Sequence, residues 1–274
     1  MICGDIVGKA GRDALKKHLP LLCDEVDIDF IIVNGENAAH GFGITEKICA
    51  SFFELGVDAI TTGNHIWDKK EIIKYIGQEN RLLRPLNFPE GTPGNGFGLF
   101  KSRIGKRVLV INVMGQLFMK PIRSPFKVIE EILKKYRLGI EVDIILVDFH
   151  CEATSEKQAM GHLLDGRVSV MVGTHTHVPT SDYQILEGGS GYQTDLGMTG
   201  DYDSVIGMKK QAALGRFMVS DDSTAKSASK NRLEPAGGEG TLCGTIVEIS
   251  ELSGLASSIR PVRLGGRLSE SVPN

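Results

Sequence analysis

The amino-acid sequence predicts an α/β fold, and three observations carry that prediction. Short apolar runs recur along the chain, helical stretches follow most of them, and polar Gly/Asn/His loops stand at their carboxyl ends. The runs are apolar throughout rather than alternating, which implies strands covered on both faces by helices or by a second sheet.

The elements follow in order. Only Met1, Ile2 and Cys3 precede Gly4-Asp5, a very short first strand, such as a start assigned a few residues late would leave. Asp29 to Val33 reads as a buried strand. Thr45 stands as the N-cap of a helix through KICASFFEL, closed by Gly56. Val57 to Thr61 is the next strand, and Lys69 to Ile76 the next helix. Leu82 to Gly98, rich in Pro, Gly and Asn, is a long loop. Arg107 to Val113 and Val142 to Asp148 are strands, with a helix from Pro125 to Tyr136 between them. Glu156 to Leu164 is a helix and Val168 to Val172 a strand. Residues 220–240 are polar and low in aromatics, hence a mobile surface loop, and Thr241 to Ile249 is the strand that rejoins a sheet.

Bulk properties bound the function. At 274 residues the chain can bury the core of one large domain or of two small ones. A hydrophobic fraction of 41% and a charged fraction of 24% belong to a soluble globular protein. A formal net charge of −3 supplies no general attraction for nucleic acid or anionic membrane, so a phosphate-bearing ligand needs a local site. The five cysteines, Cys3, Cys23, Cys49, Cys151 and Cys243, are scattered without C-x-x-C. That pattern argues against a disulfide framework or a cysteine zinc site and fits a reducing, cytoplasmic setting. Cys151, beside His150, reads as a small side chain packed near a strand end. No apolar stretch approaches the ~18 residues of a membrane span, and no secretory signal is visible.

What stands after each apolar run is more informative. Asp5 follows the first; Asn34, Glu36 and Asn37 the second; Asn64 and His65 the third. His150 follows the run ending in Val147, and His175 and His177 follow the run 168–172. Ligands of open α/β sheets bind outside the carboxyl ends of the strands. Each residue alone has a plainer reading: an Asp is an N-cap, Asn-Gly a turn, a single His a structural hydrogen-bonder. Their joint placement points instead to metal. If the strand geometry continues, His175 and His177 point the same way. Carboxylate, amide and imidazole ligands without thiolate suit Mn²⁺, Fe or Zn²⁺, zinc being disfavoured above four ligands. The set divides between two ions. Two carboxylates against two divalent ions leave a positive site for hydroxide and a phosphodiester.

In this order, Gly4-Asp5, Gly35-Glu36-Asn37, Gly63-Asn64-His65, His150 and GTHTH at 173–177 resemble the calcineurin-like metallophosphoesterases. Two departures stand out. Val7 replaces a histidine of the first motif, and Glu36-Asn37 replaces the usual bridging Asp of the second. GDIVGKAGR, NGENAAHGFGIT, TTGNHIWD, DFHCEATSEKQAMGHLLDGRVS, GTHTHVPT and DLGMTGDYDSVIG together resemble one branch, the YmdB-like 2′,3′-cyclic-nucleotide 2′-phosphodiesterases. The likeness runs from Gly4 to Phe217 and weakly through 240–249.

The resemblance implies a four-layer αββα sandwich of two mixed sheets flanked by helices. It is a single domain over 1–274, with 267–274 a flexible tail. It also implies a first metal held by Asp5, Asn37 and His177 and a second by Asn64, His150 and His175, with Glu36 shared. The metals would be two divalent or mixed-valence ions, iron first and manganese second. His65 takes the position of the proton donor. Asp68, one turn on, either sets the His65 tautomer or is a solvated charge. His40, in the glycine-flanked loop, either contacts substrate phosphate or has no role. Gly197 to Gly200 either brings backbone N–H groups to the ligand or is a turn between strands.

The implied reaction is hydrolysis of small 2′,3′-cyclic nucleotides to 3′-nucleotides by a metal-bridging hydroxide. A phosphomonoesterase, or a diesterase for 3′,5′-cyclic nucleotides or RNA ends, keeps the same site. A nucleotide sensor with incidental turnover is the reading from another class. Without a basic stripe the chain is not expected to bind extended nucleic acid, nor membrane; a homo-oligomer is compatible with the sequence.

Overall fold

The computed structural model describes residues 1–119, 122–218 and 233–272. The chain opens with β1 (Ile2–Cys3) and β2 (Asp5–Ile6) and turns directly into α1 (Gly8–Glu25). Then come β3 (Ile32–Asn34), α2 (Glu46–Glu54), β4 (Ala59–Thr61) and the short α3 (Ile72–Ile76). A second series follows: β5 (Phe97–Lys101), β6 (Arg107–Met114), α4 (Pro125–Leu133), β7 (Ile144–His150), α5 (Thr154–Leu164) and β8 (Val170–Thr174). The last elements are β9 (Gln184–Ile185), β10 (Gly191–Gln193), β11 (Met198–Thr199), α6 (Lys210–Phe217), β12 (Leu242–Ile249) and β13 (Ala256–Leu264).

Two mixed sheets form, in the orders β13-β12-β1-β3-β4 and β5-β6-β7-β8-β10-β9, and β2 pairs separately with β11. β1, β3 and β4 are parallel to one another, as are β6, β7 and β8. The period-two alternation of strands explains the layering. Ile31 and Val33 point to one side, onto Leu15 and Leu19 of α1 and Cys49 and Phe52 of α2. Phe30 and Ile32 point to the other side, where Val108, Val110, Leu146, Val170 and Val172 of the second sheet meet them. Leu109, Ile111, Ile145, Val147 and Met171 face outward again, onto Val128 and Ile132 of α4 and Met160 and Leu164 of α5. The result is helices, sheet, sheet, helices, the expected four-layer α/β sandwich.

Several expected elements are trimmed or extended at their ends. The Thr45 hydroxyl accepts from the Ile48 amide and Gly56 takes a positive φ of 89°, so α2 is capped at both ends as expected. The helix expected from Lys69 begins only at Ile72, and the one expected through Tyr136 ends at Leu133. Of the polar loop at 220–240, positions 220–232 lie outside the described residues; Leu233 to Gly240 return beside α1 and α6. Pro273 and Asn274 of the expected flexible tail also lie outside them. Ser271, by contrast, exchanges two backbone hydrogen bonds with Arg263, so the tail is tied down that far. Among the described residues no helix is long and apolar enough to cross a membrane.

The parallel strands give the two sheets a common carboxyl end, where Asn34, Thr61, Asp148 and Thr174 are joined by hydrogen bonds across the sandwich. The polar strand ends therefore do not meet at one edge of a single sheet, but at the common end of two. A cleft of about 410 Å³, lined mostly by apolar residues such as Ile2, Phe30, Val108, Leu146 and Val247, sits at the opposite end and holds none of these residues.

Candidate metal centre

Local structure sets each side chain of the site. Asp5 sits on β2, fully buried, and accepts the His175 amide on Oδ2 at 3.0 Å. Glu36 and Asn37 follow β3 in a turn that Asn34 closes by accepting the Glu36 amide at 3.2 Å. The Gly63 of Gly-Asn-His is required by contact. A Cβ there would lie 2.2 Å from the His150 ring and 2.5 Å from Glu36 Oε2. His150 ends β7. β8 ends at Thr174, and extended geometry does not continue through the His-x-His pair. His175 and His177 take positive φ values of 101° and 65°. Such conformations cost about 1–3 kcal/mol each and mark sites held by their surroundings. The two imidazoles consequently diverge, one towards His150 and one towards Asp5, instead of sharing a side.

Around Glu36 the donors converge. Oε1 lies 3.0 Å from His150 Nε2, and Oε2 accepts the His65 amide at 2.9 Å. His150 Nε2 is also 3.1 Å from Asn64 Oδ1 and 3.0 Å from His175 Nδ1. On the other side, Asp5 Oδ1 is 3.7 Å from His150 Nδ1 and 4.0 Å from His177 Nε2. His177 Nδ1 donates to the Ile206 carbonyl at 2.8 Å, which leaves Nε2 as the free nitrogen. Asn37 Nδ2 donates to the Gly41 carbonyl at 3.0 Å, leaving its Oδ1 free.

The donor set fits metal. Two ligands bound at ~2.1 Å and at right angles lie about 3 Å apart. That is the spacing of His150 Nε2 from Glu36, Asn64 and His175. Ligand atoms of Glu36, His150 and His175 all lie within 4.8 Å of one another. Asp5 Oδ1 and Asn37 Oδ1 are buried acceptors that find no hydrogen-bond partner among the described residues. Orphaned buried oxygens are costly unless something electropositive meets them.

Electrostatics separate the groups. Burial pushes the Asp5 carboxyl up. Burial pushes Glu36 the same way, but the adjacent His150 outweighs it and leaves Glu36 below the ordinary carboxylate range. Burial disfavours a charged His150, yet Glu36 prevails and raises it to about 9. Burial and the neighbouring His150 depress His175 to about 3.

His65 stands outside this cluster. Its Nδ1 is 2.8 Å from Asp68 Oδ2, and its ring meets Phe42 edge-on at 5.0 Å. His40, exposed and at a positive φ of 58°, is not brought to the cluster. It lines a cleft of about 650 Å³ with Phe42, Asp68 and Lys69. Met198 and Thr199 form β11 against β2 rather than a turn. Cys151 is buried, its thiol directed at Glu156 Oε2 at 3.2 Å and pushed up by burial, as suits a packed side chain.

Sequence reasoning missed four residues that flank or support the site. Glu152 Oε2 lies 3.2 Å from His175 Nε2. Lys157, fully buried, pairs with Asp195 Oδ2 at 2.6 Å, and Asp195 also takes the Thr176 and Gly197 amides. This ion pair supports the loop that carries both strained histidines. Lys157 shares a helical face with Met160 and Leu164, so a charge on an apolar stripe was the available signal. Asp148, inside an apolar strand, was similarly visible but unread.

A profile of the YmdB-like protein family matches residues 1–262. The protein named 2′,3′-cyclic-nucleotide 2′-phosphodiesterase in Bacillus subtilis (strain 168) is 44% identical over 262 residues, spanning 96% of this chain and 95% of that one. Among solved structures, a hypothetical protein from Thermus thermophilus superposes with a TM-score of 0.86 at 38% identity, covering 96% of this chain and 97% of the other. A phosphatase from Mycoplasma pneumoniae also reaches a TM-score of 0.86, at 33% identity over 96% of this chain and 92% of its own. The strand-end motifs, the sandwich and these matches agree: the chain belongs to the YmdB-like protein family.

Proposed function

We propose that the protein is a metal-dependent phosphodiesterase that opens 2′,3′-cyclic nucleotides at the 2′ position and leaves the 3′-nucleotide. The observation that carries this reading is the Glu36 carboxylate, with Asn64, His150 and His175 donors around it and the orphaned Asp5 and Asn37 oxygens nearby. The printed activity of the Bacillus subtilis relative supports the substrate class. Asp5, Asn37, His177 and Glu36 would hold one ion, and Glu36, Asn64, His150 and His175 the other, with iron or manganese suited to such ligands. When bound, two such ions offset phosphate charge and bring the pKa of water towards neutrality.

The chain's own groups do the rest. Asp68 Oδ2 accepts a hydrogen bond from His65 Nδ1, which orients the ring with Nε2 turned away from Asp68. A water oxygen attacks phosphorus and releases one proton to solvent, the P–O2′ bond breaks, and the His65 Nε2 proton passes to O2′ and is replaced from solvent. The open cleft beside His65, with Phe42 on its wall, has room for a nucleoside. Chelation should abolish turnover of 2′,3′-cyclic AMP and Mn²⁺ or Fe²⁺ should restore it. Full turnover by protein stripped of metal would sink the proposal.

Protonation gives a second check. A pKa raised on folding stabilises the fold below the unfolded value and loses that contribution as pH rises through the folded one. His150, raised to about 9, makes the metal-free chain lose stability towards alkaline pH. A divalent ion needs the neutral imidazole, so its binding strengthens over the same interval. The gap between metal-loaded and metal-free denaturation midpoints is therefore expected to widen from about pH 6.5 to about pH 9. A gap that narrows would contradict the assignment of His150.

A further inference from the structure

A line of buried polar groups leaves the site and ends between the sheets. His150 Nδ1, the ring nitrogen turned away from Glu36, lies 2.9 Å from Thr174 Oγ1. That hydroxyl lies 2.7 Å from Asp148 Oδ1. Asp148 Oδ2 takes the Thr61 hydroxyl at 2.5 Å and the Asn34 amide at 3.0 Å. Asn34, Thr61, Asp148, His150 and Thr174 are all buried.

Donor counting sets the direction of each bond. An ionised carboxylate only accepts, so the single Thr174 hydroxyl proton goes to Asp148. Thr174 Oγ1 must then accept from His150, which keeps its proton on Nδ1. In the neutral imidazole that a divalent ion requires, the Nε2 lone pair is then the one on the side of Glu36, Asn64 and His175. We infer that Asp148, acting through the Thr174 hydroxyl, is a positioning residue that holds His150 in the Nδ1–H form and thereby sets metal affinity at the Glu36–Asn64–His150–His175 half of the site. The inference rests on the proposed metal centre. Loss of an outer partner of a ligating histidine costs ~10–100-fold in metal affinity.

The rival explanation is a pin that merely joins the sheets. Thr61 separates the two, because it holds Asp148 from β4 without touching His150. Calorimetric titration of the metal-free chain with Mn²⁺ alone, beside thermal denaturation, reads both effects. Thr174→Val is expected to weaken one of two Mn²⁺ sites by ~10–100-fold, and Thr174→Ser, which returns the hydroxyl, to restore it. Thr61→Val is expected to lower the melting temperature while leaving Mn²⁺ affinity near that of the wild type. Wild-type affinity in Thr174→Val, or equal weakening in Thr61→Val, overturns the inference and leaves the metal centre standing. A wild-type chain that takes up no Mn²⁺ overturns the metal centre itself, and this inference with it. Should Thr174→Val not fold, Asp148→Asn, which keeps the shape and removes the charged acceptor, carries the same expectation, and unchanged affinity there overturns it.

Discussion

Glu36→Gln is expected to lose paired metal binding, and with it hydrolysis, more completely than any other single exchange at the site. The variant keeps the volume of the side chain and an oxygen for the His65 amide, so the fold has no reason to fail. What disappears is the negative charge that faces His150 at 3.0 Å and that both proposed ions share. Outer-shell partners are worth ~10–100-fold in metal affinity, and a shared inner ligand should exceed that at both positions. Metal content per chain and Mn²⁺ calorimetry give the answer. Two ions held by Glu36→Gln with undiminished affinity would mean that Glu36 is not the shared ligand.

His65→Ala should separate chemistry from binding. The backbone amide of residue 65, not its imidazole, holds Glu36 Oε2, so removing the ring leaves the proposed metal ligands supported. Loss of a general acid typically costs ~10²–10⁴-fold in rate. The expected outcome is a fall of about that size in kcat on 2′,3′-cyclic AMP, with two metals retained and KM little changed. Asp68→Asn should fall in the same direction by less, because the ring stays and only the hydrogen bond that orients it weakens. A metal-loaded His65→Ala enzyme with wild-type kcat would remove His65 from the role of acid.

Much of this architecture was legible because the site is built from strand ends. Apolar runs locate the strands, and the parallel arrangement places whatever follows each run at one end of the molecule. Asp5, Glu36, Asn37, Asn64, His150, His175 and His177 could therefore be named as candidate ligands from order alone. Other features depend on which sheet faces which. Asn34 looks like a member of the polar set, yet its amide goes to Asp148 on the opposite sheet. Asp148 and Thr174 acquire their contacts only when β3, β4, β7 and β8 meet across the sandwich. The divergence of His175 from His177 was hidden for a related reason. A positive φ at both histidines of the pair contradicts local preference and is imposed by Asp5 and the Lys157–Asp195 pair. β13 was overlooked because Pro261 and alternating polar residues mask a strand that pairs with β12 along its length. The helix α1 carries Pro20 in its interior, which likewise blurs its pattern.

The most direct test of the account is the identity of the product formed from 2′,3′-cyclic AMP by the metal-loaded protein, resolved by chromatography, with a chelated sample alongside. Metal-dependent release of 3′-AMP is the predicted result, since it requires the P–O2′ bond to break at the site described. Release of 2′-AMP, or no turnover by protein that demonstrably holds two metal ions, would contradict it.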